Sequence, residues 1–328
     1  MTLKTLRGHK GATYRMGRRR PVARAPRLSL KNYLRATLPP APQTCDYSKA
    51  AAPVLANIYG NDKLGDCVIA GGYHIVGVET GNAGDLFTAT SQQIIADYSA
   101  IGGYNPADPS TDQGCDETTA LDYWTQTGFA DGTKILGYLA VDPTNQAEVM
   151  SAMYLFENLF FGLELPDAYV NPMPEAAGFT WGVEGSPDPN NGHCIIGTGY
   201  SPQGVLVDTW GMIGTFTWAA IAVYCTAKAN GALYVILTPD QLTKGETTAP
   251  NGVDWTSLIA DFQSIGGSAP APTPAPTPAP GPSPTASVTL AQAQAWAVSG
   301  LSKGHATLPQ QQAVNLVKQG LVSNWPKS

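Results

Sequence analysis

Residues 59–77 read YGNDKLGDCVIAGGYHIVG, and how this stretch folds decides how the rest of the chain is understood. A turn rich in Gly, Asn and Asp gives way at Cys67 to an apolar run. Cys67, Ala70, His74 and Val78 recur at helical spacing, so the run reads as a helix despite its glycines. A thiol at a helix N-terminus meets the positive end of the macrodipole and unpaired backbone donors, which favour the thiolate. The same amides can cradle an oxyanion. A structural thiol has no need of that position, but a nucleophile does.

A nucleophilic cysteine requires a base, normally histidine, held by a third polar group. The chain has four histidines. His9 lies in a basic N-terminal stretch and His305 near the C-terminus, both poor places for a preorganised site. His74 follows Cys67 by two helical turns, roughly 10 Å, too far for a hydrogen bond, and reads as a core or cleft-wall residue. His193 remains, opening a strand after the Gly/Asn turn of NNGHCIIGTGY. Asp208 closes the following strand in VLVDTWG. A β-hairpin joining the two would bring its carboxylate beside His193, where it can hold the ring tautomer.

Composition bounds the possibilities. At 328 residues with 43% hydrophobic content, the chain can bury one sizeable core plus an appendage, or two modest domains. Cys45, Cys67, Cys115, Cys194 and Cys225 show no CxxC spacing, which argues against a zinc ribbon or a disulfide scaffold; no metal or cofactor is expected. Cys45–Cys115 or another bridge remains open, with five reduced thiols the favoured reading. The net charge of −6 hides an asymmetry. Residues 1–45 hold eleven Lys and Arg and no acid, whereas all 25 acids lie in residues 46–266, with five Lys. So acidic a body is an unpromising nucleic-acid binder, and self-docking of the basic arm is favoured over a polyanionic partner. The N-terminus lacks the apolar stretch of a secretory signal, and no run of eighteen apolar residues suggests a membrane span. Location is left open between intracellular and virion-associated.

Four segments are expected along the chain. Residues 1–37 form the basic arm and 38–266 the globular part. Residues 267–288, centred on SAPAPTPAPTPAPGPSPTAS, are a Pro/Ala/Thr linker of polyproline II character. Residues 289–328 form a small helical module built on the echo TLAQAQAWAVSGL and TLPQQQAVNLVKQGL, either a docking tail for a protein partner or a loosely folded end. Within the globular part, helices are read at the Cys67 run, SQQIIADYSAIGG, CDETTALDYWTQTGF and NQAEVMSAMYLFENL. Short β-rich runs follow: LFFGLEL, HCIIGTGY, GVLVDTW, TFTWAAIAVYC and ALYVILT. Helices first and strands after imply an α+β protein with a cleft between two lobes.

These motifs together resemble the papain family of cysteine peptidases, and papain-like proteins of bacteria and their phages. LPPAPQTCDYS resembles the family's mature N-terminus, and NDKLGDCVIAGG its segment from the oxyanion residue to the nucleophile. DQGCDETTALDYWTQTGF resembles its Gly-Cys segment and following helix, and NGHCIIGTGYSPQGVLVDTWG its His-to-Asn hairpin ending in Trp-Gly. The resemblance covers residues 38–240 and implies a two-lobed fold, a helical lobe followed by an antiparallel sheet. It implies Cys67 as nucleophile, His193 as base and then acid, Asp208 as orienting residue, and Asn61 as oxyanion donor beside the Cys67 amide. Gly65, Asp66, Asp116, Glu117 and Trp210 would contact substrate, with Trp210 also shielding the histidine. Asn61 stands where the family has glutamine and Asp208 where it has asparagine. Leu64 replaces one partner of a familiar disulfide. Asp116 and Glu117 replace glycines that pair with substrate backbone, which suggests a preference for a basic residue. The arm stands where the family carries an inhibitory prosegment. The expected activity is peptide-bond hydrolysis on a polypeptide substrate. The alternatives are a catalytically silent papain-like binding module of a virion or cell surface, and a cell-wall endopeptidase or amidase.

Overall fold

Every residue of the strand Leu159–Pro166 is buried, so the sheet containing it must be covered on both faces. This computed structural model describes residues 3–8, 11–20, 28–34, 40–239 and 253–264. The Pro/Ala/Thr linker, the C-terminal helical module, His9 and His305 lie outside the described residues.

In chain order the elements are β1 (Thr5–Arg7), β2 (Thr13–Arg15), β3 (Cys45–Asp46), α1 (Ser48–Leu55), α2 (Cys67–Ala83), α3 (Ser91–Gly102) and α4 (Glu117–Gln126). There follow β4 (Gly137–Ala140), α5 (Gln146–Phe156), β5 (Leu159–Pro166), α6 (Asp167–Val170), β6 (Thr180–Trp181), β7 (Pro187–Ser201) and β8 (Gly204–Thr209). The last are β9 (Met212–Thr217), α7 (Trp218–Tyr224), β10 (Ala232–Leu237) and α8 (Trp255–Ser264). The fold is α+β: four helices come first, then a mostly antiparallel sheet in the order β4-β10-β5-β7-β8-β9-β6, with β3 beside β7. The run TFTWAAIAVYC, read from sequence as β-rich, is strand only to Thr217. Thr217 then caps α7 by accepting from the Ala220 amide. β-branched content misled there because an N-cap intervenes.

Alternation along β5 divides the interior in two. Leu159, Phe161, Leu163 and Leu165 join a core with α5, α7 and α8. Phe160, on the other face, joins a second core with α1–α4. Helix α2 is the centre of that second core, buried continuously from Cys67 to Val78. A helix apolar all round needs such burial, which offsets the propensity cost of its four glycines. Its N-terminus, carrying Cys67, thereby faces β7.

The arm is part of this architecture. β1 and β2 form a hairpin, and Leu6, Met16, Leu30 and Tyr33 enter the first core. Arg15 pairs with Asp112 at 3.0 Å, Arg18 with Glu117 at 2.6 Å and Arg20 with Glu164 at 2.6 Å.

Asn158, wholly buried where α5 gives way to β5, works as a substitute strand partner for β10. Its Nδ2 donates to the carbonyls of Phe156 (2.8 Å) and Ile236 (3.0 Å), and its Oδ1 accepts from the Ile236 amide at 2.9 Å. Asn158→Ala orphans buried backbone groups and is expected to cost about 3 kcal/mol, read as a lower midpoint in urea unfolding of the full chain.

Candidate active site

Cys67 is the first residue of α2 and lies almost wholly buried. It lines a small cavity of about 20 Å³ together with Asn61, His74, His193, Asp208 and Trp210, a space fit for one water molecule. Chain segments far apart in sequence thus bring the predicted nucleophile and base to one place. The backbone amides of Cys194 and Gly17 lie toward the Cys67 sulfur and favour its charge. Burial outweighs them and pushes the thiol up to about 12. The expected advantage of the helix terminus, worth a kcal/mol or so, is the smaller effect in this closed state.

His193 and its partner differ from the sequence expectation. Strand pairing sets Ile196 opposite Asp208, so His193, three residues earlier on β7, lies against the turn that follows β8. Its Nε2 is hydrogen-bonded to Thr209 Oγ1 at 2.8 Å. Thr209, not Asp208, therefore orients this ring. Sequence reading missed Thr209 because adjacent strand residues point to opposite faces, and one residue of register exchanges them. In the tautomer that donates Nε2–H to Thr209, Nδ1 is the basic nitrogen, and Nδ1 is buried without a hydrogen-bond partner. Burial lowers His193 to about 3.

Trp210 stacks on His193 with ring centroids 4.3 Å apart and planes 18° apart. It occupies a two-residue turn between β8 and β9 in which both Trp210 (φ 50°) and Gly211 (φ 76°) are left-handed. Such turns favour Asn-Gly, and a tryptophan there is strained by about 1–3 kcal/mol. The contacts with His193, Tyr14 and Trp181 hold it.

Asp208 is instead 3.4 Å from His74 Nδ1, while His74 Nε2 lies 2.8 Å from the Asn57 carbonyl. Nε2 must carry a proton to donate to that carbonyl. Burial raises Asp208 and lowers His74 to about 4, so it disfavours the charged form of each.

Asn61 Nδ2 donates to the carbonyls of Arg15 (3.0 Å) and Leu64 (2.9 Å), and the Asn61 carbonyl accepts from the Arg15 amide at 2.9 Å. An arm carbonyl is thus bonded to the side chain expected to hold an oxyanion. Gly65 is pressed against the arm: a Cβ on Gly17 would fall 1.9 Å from the Gly65 carbonyl oxygen. The Asp66 carboxyl is fully buried, and burial raises its pKa. Asp116 caps α4 through the Thr119 amide. Glu117 receives Arg18, and the backbone pairing expected at Asp116 and Glu117 is made by Cys115: its amide donates to Gly17 O and its carbonyl accepts from the Arg19 amide, both at 3.0 Å. All five cysteines are free. Among the described residues no three His, Cys, Asp or Glu gather as metal ligands, and no helix is long and apolar enough to cross a membrane.

The buried neutral His193 has a consequence for acid stability. Below pH 6.5 the unfolded chain binds a proton on this residue that the native state refuses until about pH 3. Stability is therefore lost as pH falls through that window, by up to about 1.4 kcal/mol per pH unit. Replacement of His193 by Gln is expected to flatten the dependence of unfolding free energy on pH between 6 and 4 by nearly one proton, measured by urea titration.

No family model matches the sequence, and no curated protein does either. Solved structures do match. Xylellain, a cysteine protease from Xylella fastidiosa, aligns over 73% of this chain and 99% of its own, with 13% identity and a TM-score of 0.52. A digestive procathepsin L 3 of Tenebrio molitor larval midgut aligns over 64% of this chain and 76% of its own, with 13% identity and a TM-score of 0.46. The chain has the papain-like fold.

Proposed function

We propose that this chain is a papain-like cysteine peptidase, a thiol hydrolase acting on polypeptides and held latent by its own arm. The observation that carries this reading is the shared cavity of Cys67, Asn61 and His193, with the histidine's Nδ1 unbonded and its Nε2 committed to Thr209. In the reaction, Cys67 gives its proton to His193 Nδ1 and its sulfur attacks the substrate carbonyl. The Cys67 amide and Asn61 Nδ2 receive the oxyanion. His193 returns the proton to the leaving amine, and water then hydrolyses the thioester. A polypeptide substrate is favoured because the groove beside Cys67 hydrogen-bonds an extended backbone from both walls, through Cys115 and Gly192.

Latency follows from what now fills that groove. The arm's carbonyl at Arg15 occupies Asn61, and Gly17 is wedged between Gly65 and Gly114 where no side chain fits. The neutral Thr209, in the place of a carboxylate or amide, favours a second reading in which the cavity is catalytically silent and the domain only binds.

Gly17→Val in the full chain is expected to lift the arm and speed alkylation of Cys67 by iodoacetamide at pH 7 about tenfold or more, with peptidase activity appearing alongside. Adding His193→Ala should remove both gains. A lifted arm that leaves Cys67 no more reactive than the other four thiols, with no peptide cleaved, assigns the chain to the binding module.

A further inference from the structure

Residues 16–20 of the arm cross the groove in extended form, and the side chain of Arg18 drops into a closed pocket beneath them. The arm's backbone is held on both sides: the Arg18 amide donates to the Gly192 carbonyl at 3.1 Å, while Gly17 and Arg19 pair with Cys115. In the pocket, Arg18 Nε donates to Glu117 Oε1 at 2.6 Å and Nη1 to the Asn230 carbonyl at 2.7 Å. Neither the Arg18 nor the Glu117 side chain has any exposed surface.

The pocket exists because of one small residue. Gly162 lies on the face of β5 opposite the Leu159–Leu165 row, and a Cβ there would fall 1.2 Å from Glu117 Oε1 and 2.8 Å from Arg18 Nε. Any side chain at 162 would fill the space. Glu117, at the start of α4, supplies the charge, and Asn230, after α7, supplies a carbonyl. The two acceptors take two different nitrogens of the planar fork, Nε and Nη1, a divided geometry that suits a guanidinium better than the compact ammonium of a lysine. Arg18 contributes nothing peculiar to the arm beyond a backbone amide and this side chain. When the arm leaves, the carboxylate is buried without its cation, a state that strongly favours recapture of another. A groove of about 770 Å³, lined by Arg20, Glu164 and Asn190 among others, continues beside the pocket and gives room for a longer chain.

We propose that this pocket is an arginine subsite, so that the substrate is an extended polypeptide carrying arginine at the position now held by Arg18. The proposal rests on the reading of this groove as the place where a polypeptide substrate lies. Glu117 selects the charge, Asn230 selects the fork over a lysine, and Gly162 sets the depth.

The test uses the full chain with Arg18→Ala, which empties the pocket, and the peptide TYRMGRRR, the sequence of residues 13–20. At a concentration where this peptide slows alkylation of Cys67 by iodoacetamide, the peptide with neutral citrulline in place of Arg18 is expected to protect about tenfold less. The lysine peptide should fall between them. Adding Glu117→Gln should make the arginine and citrulline peptides equal. That double variant carries no buried unpaired charge, and Arg18→Gln serves in place of Arg18→Ala should the latter not fold. Equal protection by arginine and citrulline peptides, or discrimination that survives Glu117→Gln, overturns the subsite. Hydrolysis of matched fluorogenic peptides separates the two readings. Cleavage without arginine preference defeats the subsite and leaves the peptidase. Arginine-selective protection without cleavage of any peptide keeps the subsite and defeats the peptidase.

Discussion

The Arg18–Glu117 ion pair fixes how the N-terminal segment lies on the rest of the molecule. Two charges withdrawn wholly from water lose most of their hydration, and only close geometry with further hydrogen bonds compensates. Burial by itself raises the Glu117 carboxyl, while the charge and hydrogen bond of Arg18 act the other way. Such a pair contributes little net stability but tolerates almost no displacement, since a shift leaves a carboxylate buried alone. The register of the arm follows from it: with Arg18 seated, Gly17 meets Gly65 and Gly114, and the Arg15 backbone meets Asn61.

That register determines the chemical state of the candidate nucleophile. A helix N-terminus stabilises a thiolate by a modest amount, whereas excluding water from sulfur costs far more. With the arm in place the second effect dominates at Cys67, and the same exclusion keeps His193 neutral. Thiol and imidazole are thus both uncharged, the ground state from which proton transfer would begin once water or substrate enters.

Much of this was legible in the sequence because its signals are local or periodic. The apolar run after Cys67, the late β-rich runs and the Gly/Asn turn before His193 each specify an element without reference to distant residues, and charge segregation between residues 1–45 and the remainder anticipates basic side chains meeting acids. What escaped depended on register. Asp208 and Thr209 are adjacent, and only the pairing of Ile196 with Asp208 shows that the threonine reaches His193 while the aspartate reaches His74. Backbone pairing at Cys115 rather than at Asp116 and Glu117 is likewise a matter of one or two positions along a strand-like segment. The end of β9 at Thr217 escaped for a different reason, because an N-cap redirected a run whose composition favours strands.

Asn230 stands at two of the three buried acids that receive arginines of the arm, meeting Glu117's partner Arg18 through its backbone and Glu164 through its side chain. Its backbone, in the left-handed region at φ 54°, turns a carbonyl to Arg18, and its side chain donates to Glu164 Oε2 at 3.3 Å, the carboxylate that holds Arg20. The two arginine contacts therefore share a hinge point: loss of one frees the residue that shapes the other. Loosening of Arg18 is then felt at Arg20 through a residue that belongs to neither ion pair.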